Sequence, residues 1–489
     1  KIILAGYNLD YETIQDIEDA LPELEELTPE TIAAAYARIS RNPKPVNELR
    51  ALARAEVDKA RQSNRNIVFE MGHSSIAEHA VFNIDVIGVS RLLVEEIEKF
   101  RLCSYTEKSQ RYVLLQDDFV IPEEVRRAGL EETFVGMIRE QNRFYHDLYE
   151  KLHPFVFSQN PDLAADPKNR SLLEGWAKED ARYIIALATE TQLGMTLNAR
   201  NLELMLRRLA AHPLTEAGLC SRKLYDATKN IAPSLIRYTH ATDYDRLTRP
   251  ALKEMVAAVI SHKLNPDPAS DPEPAVLCEA TPNADDKILA SLLHSSSRLP
   301  MSLCLDTVHG MNDREKGEIV KAALRHIQAY DPVLREFEHA DLHFELVVSA
   351  SCFAQLKRHR MATLTCQVYD PALGVTIPPA VSAIGMDKAF QEVIARTDAV
   401  YEQIRDKAPA AAVYILTNAH RKRVALKINA RELYHMARLR MDGHAQWDIR
   451  DLTVRMLALG KAAMPLTLML ATGKDEFTSL HREIFHEAR

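Results

Sequence analysis

The sequence has no uninterrupted apolar run of about 18 residues, which excludes a helical membrane span. It has no CxxC pair. Its six cysteines, Cys103, Cys220, Cys278, Cys304, Cys352 and Cys366, are scattered, so zinc-ligand spacing is absent and a reduced, cytoplasmic chain is expected. It has no excess of positive charge: 61 Lys and Arg stand against 69 Asp and Glu, a net charge of −8. That balance argues against a general nucleic-acid-binding surface and leaves room for a local basic pocket for a small anion. The first residues, KIILAGYNLD, lack the basic region and long apolar core of a secretory leader, and none is expected. What is present is 489 residues, 46% hydrophobic and 27% charged. This is a globular composition in a chain too long for one ordinary core, so two or more domains are expected.

One stretch reads as a linker. HKLNPDPASDPEPAV (262–276) is rich in proline and acidic residues, cannot bury a face, and favours an extended spacer. It divides the chain into 1–261 and 277–489, and the two parts repeat one another. EHAVFNIDVIGVSRLLVEEIEKFR (78–101) parallels EHADLHFELVVSASCFAQLKRHR (338–360). In each, EHA leads into an alternating apolar strand, Phe82, Ile84 and Val86 or Leu342, Phe344 and Leu346. A serine, Ser90 or Ser349, then caps a helical stretch that ends in a basic cluster. LNAR (197–200) parallels INAR (428–431). The spacing differs by about 29 residues, an insertion expected in 155–176, FVFSQNPDLAADPKNRSLLEGW. The whole reads as mixed α and β with long helices.

The strings MGHSSIAEH (71–79), FRLCSYTEKSQRY (100–112), KRHR (357–360) and NARELYHMARLRMDGHAQWDIR (429–450) resemble the flavin-dependent thymidylate synthase family, in two tandem copies. That family's signature is Arg-His-Arg followed by Ser-x-Asn-Glu-x-Ser-x-Arg-Tyr. The resemblance implies an α/β (α+β) fold, two domains each with a curved sheet flanked by long helices. Neither half is complete. The first has Lys99-Phe100-Arg101 in place of Arg-His-Arg, but keeps Ser104, Glu107, Ser109, Arg111 and Tyr112, with Thr106 for Asn. The second keeps Arg358-His359-Arg360, but has Cys366, Val368 and Asp370-Pro371 at the Glu, Ser and Arg-Tyr positions. Sixteen residues before Asn-Ala-Arg the first half has the phosphate-binding Arg182, the second Val413. Gln355 and Arg440 match the family's Gln and catalytic Arg; their counterparts in the first half are Glu96 and Leu209. The losses are complementary, which implies one composite site where two equivalent ones could have formed.

In that site the resemblance assigns Gln355, Arg358, Glu107, Lys108, Ser109, Gln110, Arg111, Arg182 and Arg440 to dUMP. Arginine forks suit phosphate oxygens, and Ser109 with the backbone N–H groups around Lys108 and Gln110 adds neutral donors. FAD falls to Ser75, Glu107, Arg358, His359, Arg360, Asn429, Arg431 and His435, because reduced flavin carries negative charge that cationic donors stabilise. His73 and His444 are assigned to the folate or flavin edge, and Arg440 to catalysis, stabilising negative charge on the uracil ring. NADPH and methylenetetrahydrofolate are the implied co-substrates, and dTMP the product. No metal is implied. Since the family assembles its sites between subunits of a tetramer, a tandem chain is expected to imitate it as a homodimer.

Other readings of the same residues stand beside these. His79 reads as structural and Trp447 as core. Cys366 has no visible activating partner for a nucleophilic role. A flavoenzyme acting on another uridylate such as UMP, and a non-catalytic flavin- or nucleotide-binding paralogue, are the alternative functions.

Overall fold

The computed structural model describes residues 11–21, 28–39, 42–263 and 272–486. Most of the expected linker, 264–271, lies outside them, and its last two residues open a strand.

The elements that position the site come in chain order. An N-terminal helical cluster comprises α1 (Glu30–Ile39), α2 (Val46–Ala55) and α3 (Val57–Arg65). The first half continues with β1 (Val81–Ser90), α4 (Arg91–Ile97), β2 (Ser104–Glu107), α5 (Glu131–Gln159), α6 (Arg170–Ala181), β3 (Glu190–Asn198), α7 (Ala199–Ala210), α8 (Thr215–Thr228) and α9 (Asp243–Lys263). The second has β4 (Ala275–Ala280), β5 (Asp341–Ser349), α10 (Ala350–Leu356), β6 (Thr363–Cys366), α11 (Asp387–Lys407), β7 (Arg421–Asn429), α12 (Ala430–Arg440) and α13 (Trp447–Ala463). Two antiparallel sheets result, ordered β1-β3-β2 and β4-β5-β7-β6. With the long helices around them they form the α/β architecture expected of two repeated domains.

The alternation in the strands settles their inner faces. Phe82 and Val86 are buried on β1 with Ile84 half-buried, while Leu342, Phe344 and Leu346 are fully buried on β5. Gly88, at φ +72°, bulges β1 between Ile87 and Val89. The serines cap as expected: Ser90 Oγ accepts from Leu93 N–H (3.0 Å) and Ser349 Oγ from Cys352 N–H (2.9 Å). Asn198 and Asn429 cap α7 and α12 in the same way.

The halves meet about a pseudo-two-fold axis. The Leu187 N–H donates to the Leu416 carbonyl (2.8 Å) and the Asn418 N–H to the Ile185 carbonyl (3.0 Å). Ala188 donates to Tyr414 and Ala419 to Tyr183, both at 2.9 Å. A shift of 231 residues, the separation of Asn198 and Asn429, converts the first bond of each pair into the second. Ala186 pairs with its own counterpart Thr417 on the axis. This is the self-complementary interface of a symmetric dimer, built inside one chain. One apolar core spans it, joining Tyr145 and Leu148 of α5 to Phe390, Ile394 and Ile404 of α11.

The insertion is a helical hairpin. α5 runs for 29 residues where its counterpart α11 has 21, and α6, which begins within the expected insertion and ends beyond it, packs against α5.

Candidate active site

The first-half loop after β2 and the second-half turn after α10 face each other across the axis. Glu107, at the end of β2, is almost fully buried and accepts from Arg91 Nη1 through both oxygens (2.6 and 2.7 Å). Arg358 Nη2 reaches the same carboxylate at 3.7 Å, with half its side chain exposed. Arg360 Nη1 donates to the carbonyls of Arg101 and Cys103. A first-half strand end and the second-half Arg-His-Arg turn are therefore locked together within one chain.

The residues expected at the nucleotide gather at the adjoining corner. Arg111 forms an ion pair with Glu179 of α6, and its Nη2 donates to the His444 carbonyl (3.0 Å). Arg182, buried just after α6, donates through Nη2 to Ser351 Oγ at the start of α10 (2.9 Å). Burial pushes its guanidinium pKa down, opposed by the nearby Glu179. Gln110 is buried beneath the loop, its Oε1 accepting from Asn418 Nδ2 (3.1 Å).

Arg440 closes α12. Its Nε donates to His359 Nε2 (3.1 Å), Nη1 to Gln355 Oε1 (3.2 Å) and Nη2 to the Gln355 carbonyl (3.2 Å). Burial, with the positive charge of Arg358 and Arg111 nearby, lowers its pKa to about 10, so it stays charged at neutral pH. His359 Nδ1 faces Glu432 Oε1 at 3.2 Å.

Three buried donors in this region have no hydrogen-bond partner: Gln110 Nε2, Arg182 Nε and Gln355 Nε2. Buried polar groups are normally paired, and three orphaned donors on residues from both halves fit a ligand rich in acceptor oxygens.

Other expected residues are placed differently. The Lys108 N–H is spent on the Gln192 carbonyl (2.9 Å) and its side chain is exposed, so it is not a free backbone donor. Ser109 Oγ accepts from the Arg111 N–H (3.2 Å). Asn429 is committed to its cap, accepting from the Glu432 N–H (2.9 Å). Arg431 turns to Glu338 (2.9 Å) and the Val333 carbonyl (2.9 Å), as Arg200 turns to Glu78 in the first half. His435 is exposed beside His359, ring centroids 6.0 Å apart. His444 contributes its carbonyl to Arg111, with its ring exposed. His73 and Ser75 line an open groove of about 550 Å³ with Tyr36, Ile39, Val46 and Ile67; among the described residues no hydrogen bond or ion pair joins them to the Arg440 cluster. His79 packs edge-on to Tyr36 (4.6 Å), as a structural histidine does. Trp447 stacks on Tyr183 (5.6 Å) against the shared core.

His359, Glu432 and His435 lie close enough for one ion, their ligand atoms within 4.8 Å of one another. Both ring nitrogens of His359 already face partners, one of them the Arg440 cation, which disfavours a metal there.

Sequence reasoning missed Arg91, Glu179, Ser351 and Asn418. It also missed a repeat of the His-x-x-x-acid type, His212 to Glu216 and His444 to Asp448, whose spacing was there to be found. Glu216 accepts from Ser90 Oγ (2.7 Å) and Tyr414 OH (2.6 Å), Asp448 from Ser349 Oγ (2.6 Å) and Tyr183 OH (2.9 Å), so each tyrosine crosses to the other half.

The mirror corner is filled. Tyr369, at the position paired with Gln110, donates to Glu95 Oε1 (2.7 Å), and Lys422 Nζ meets Glu95 Oε2 (2.9 Å). Lys422 also lies 3.4 Å from the Phe353 ring centroid. No helix among the described residues is long and apolar enough to cross a membrane.

The family described as thymidylate synthase complementing protein (Thy1) matches the chain twice, over residues 23–234 and 276–466. A UPF0159 protein of Thermoplasma acidophilum is 23% identical over 482 residues, 88% of this chain and 93% of that protein. A flavin-dependent thymidylate synthase of Clostridium tetani is 29% identical over 215 residues, 43% of this chain and 82% of that protein. Among solved structures, a UMP/dUMP methylase of Streptomyces cacaoi covers 42% of this chain and 95% of its own, with a TM-score of 0.33 and 14% identity.

Proposed function

The chain belongs to the thymidylate synthase complementing protein family, and from that premise we propose that it is a flavin-dependent thymidylate synthase with one composite site per chain. The substrate in this reading is dUMP, the product dTMP, the one-carbon donor methylenetetrahydrofolate and the reductant NADPH. The observation that supports it most directly is the set of orphaned donors, Gln110 Nε2, Arg182 Nε and Gln355 Nε2, drawn from two halves that each lack the other's residues.

In this reading Arg111 and Arg182 hold the phosphate as charge-assisted donors. Gln355 orients the nucleotide through its free amide N–H. Arg440 presents a fixed positive charge where negative charge develops on the ring, an electrostatic contribution of about 3 kcal/mol when such a donor is preorganised. Arg358 and His435 offer exposed heads toward FAD, with Arg360 and His359 fixing the turn that carries them. Reduced flavin supplies the reducing equivalents that turn the transferred one-carbon unit into a methyl group. No enzyme nucleophile is called for: burial raises the pKa of the Cys103 and Cys352 thiols.

The test is reconstitution of the purified chain with FAD, followed by release of the C5 hydrogen from dUMP in the presence of methylenetetrahydrofolate and NADPH. A flavin band near ~450 nm and hydrogen release are expected. A chain that takes up no FAD overturns the reading. Thr106, in place of the family's Asn, favours a second reading, action on another uridylate such as UMP. Hydrogen release from UMP and not from dUMP would select it.

A further inference from the structure

Two amides in the site are oriented by partners of fixed polarity. A guanidinium has no acceptor, so Gln355 must turn its oxygen to Arg440 Nη1 and its Nε2 away. Gln110 is fixed by a less direct route. Asn418 Nδ2 donates both to the Arg182 carbonyl (3.0 Å) and to Gln110 Oε1 (3.1 Å). A carbonyl only accepts, so the nitrogen and oxygen of Asn418 cannot be exchanged, and Gln110 must face it with oxygen. The Gln110 Nε2 is then left buried and unpartnered.

Asn418 is itself held. Its N–H donates to the Ile185 carbonyl (3.0 Å), and its carbonyl accepts from the Ser351 N–H (3.0 Å). Ser351 Oγ in turn accepts from Arg182 Nη2 (2.9 Å). Gln110, Arg182, Ser351 and Asn418 are therefore one closed cluster, two residues from each half. Position 418 pairs with Leu187 in the repeat, so only one of the two corners has this amide.

We propose that Asn418 is a positioning residue that polarises Gln110, making it a third donor beside Arg111 and Arg182 for a phosphate monoester. The proposal rests on the nucleotide reading above and adds the residue that sets the polarity of its anion corner. Without Asn418 the Gln110 amide can rotate and offer its oxygen to the phosphate, a repulsive contact.

The test is a double-mutant cycle of Asn418→Leu and Gln110→Leu in the FAD-reconstituted full chain, read with dUMP and with deoxyuridine, which lacks the phosphate. Asn418→Leu is expected to raise KM for dUMP about 10-fold with kcat within about 2-fold, the signature of lost uniform binding. Deoxyuridine affinity is expected to be unchanged. In the Gln110→Leu background, Asn418→Leu is expected to have no further effect, since it acts through Gln110. Flavin absorbance and the thermal melt establish that each variant is folded. Additive effects, or equal loss for dUMP and deoxyuridine, would overturn the proposal, and a variant that does not fold is replaced by Asn418→Gln, which keeps the donor and is expected to restore dUMP binding. If the unaltered chain binds no dUMP, the nucleotide reading fails with it; if it does and Asn418→Leu binds equally well, only the role of Asn418 fails.

Discussion

Arg440 donates its Nε–H to His359 Nε2 across 3.1 Å. The guanidinium can only donate, so that ring nitrogen carries a lone pair and the proton sits on Nδ1, facing Glu432 at 3.2 Å. Burial pushes the His359 pKa below its ordinary 6.5; Glu432 opposes this, while Arg440 and His435 reinforce it. A carboxylate thus sets the tautomer of a histidine, and the histidine aims the arginine proposed for catalysis.

This chain of contacts predicts an acid limb in the rate. Protonated His359 cannot accept from Arg440, so kcat falls as pH drops below 6.5 through the lowered value in the folded protein. Glu432→Leu removes the group that favours the imidazolium, so the limb moves to lower pH. It also frees the tautomer, and kcat at neutral pH is expected to fall on the order of 10-fold. Wild-type and variant pH–rate profiles check both; an unmoved limb sinks the assignment.

A single site per chain predicts asymmetry between paired positions. Arg111→Ala and Arg440→Ala are each expected to lower activity at least ~100-fold. Asp370, exposed and paired with Arg111, tolerates Asp370→Ala. Leu209, paired with Arg440, is fully packed in the core, so only Leu209→Met is a fair comparison; truncation there costs folding stability whatever the site does. One flavin per chain is the expected stoichiometry by absorbance. Equal losses at both pairs, or two flavins, contradict it.

The mirror corner predicts a stability effect with no catalytic counterpart. Burial pushes the Glu95 carboxyl up, but Lys422, Lys357 and Arg91 outweigh it and hold its pKa at about 2. Its contribution is present above pH 4.5 and is lost as pH falls toward 2. Lys422→Ala leaves that carboxylate buried without its ion-pair partner and is expected to cost about 3–5 kcal/mol in urea unfolding. The double change Lys422→Met with Glu95→Leu should recover most of it, because a packed apolar pair substitutes well for a buried ion pair.

How much of this was readable beforehand follows from the range of the rules involved. Ser90 and Ser349 act on backbone three residues away, so composition and spacing expose them; Asn198 and Asn429 cap by the same local rule, but a place in the Asn-Ala-Arg motif drew Asn429 to the flavin instead. The strand faces follow from a period of two, and the complementary losses from motif alignment. Arg91 with Glu107 was hidden because an arginine in VSRLLV reads as a helix surface until the fold buries it. Glu179 and Asn418 were hidden for another reason. Each matters through a partner in a distant segment, Arg111 and Gln110, and no local pattern marks such a pair. Arg431 shows the converse: the resemblance assigns it to flavin with His435, yet Glu338 takes its head group.

The helix that leaves the insertion carries one further expectation. Asp180 of α6 accepts from Trp447 Nε1 (2.8 Å), tying the hairpin to the second half. Burial raises its pKa from 3.8 to about 7, a shift that the Trp447 bond only partly offsets and the neighbouring Glu179 adds to. The folded protein therefore keeps a proton that the unfolded chain releases between pH 3.8 and about 7, so stability declines as pH rises through that window. The integrated cost above pH 7 is on the order of a few kcal/mol. Asp180→Asn keeps an oxygen for Trp447 and removes the titration. Its melting temperature relative to the unaltered chain is expected to improve steadily from pH 5 to pH 8 and then level off. A difference that is flat across this range would mean Asp180 is ionised throughout, with the hairpin held to the second half by a charged carboxylate.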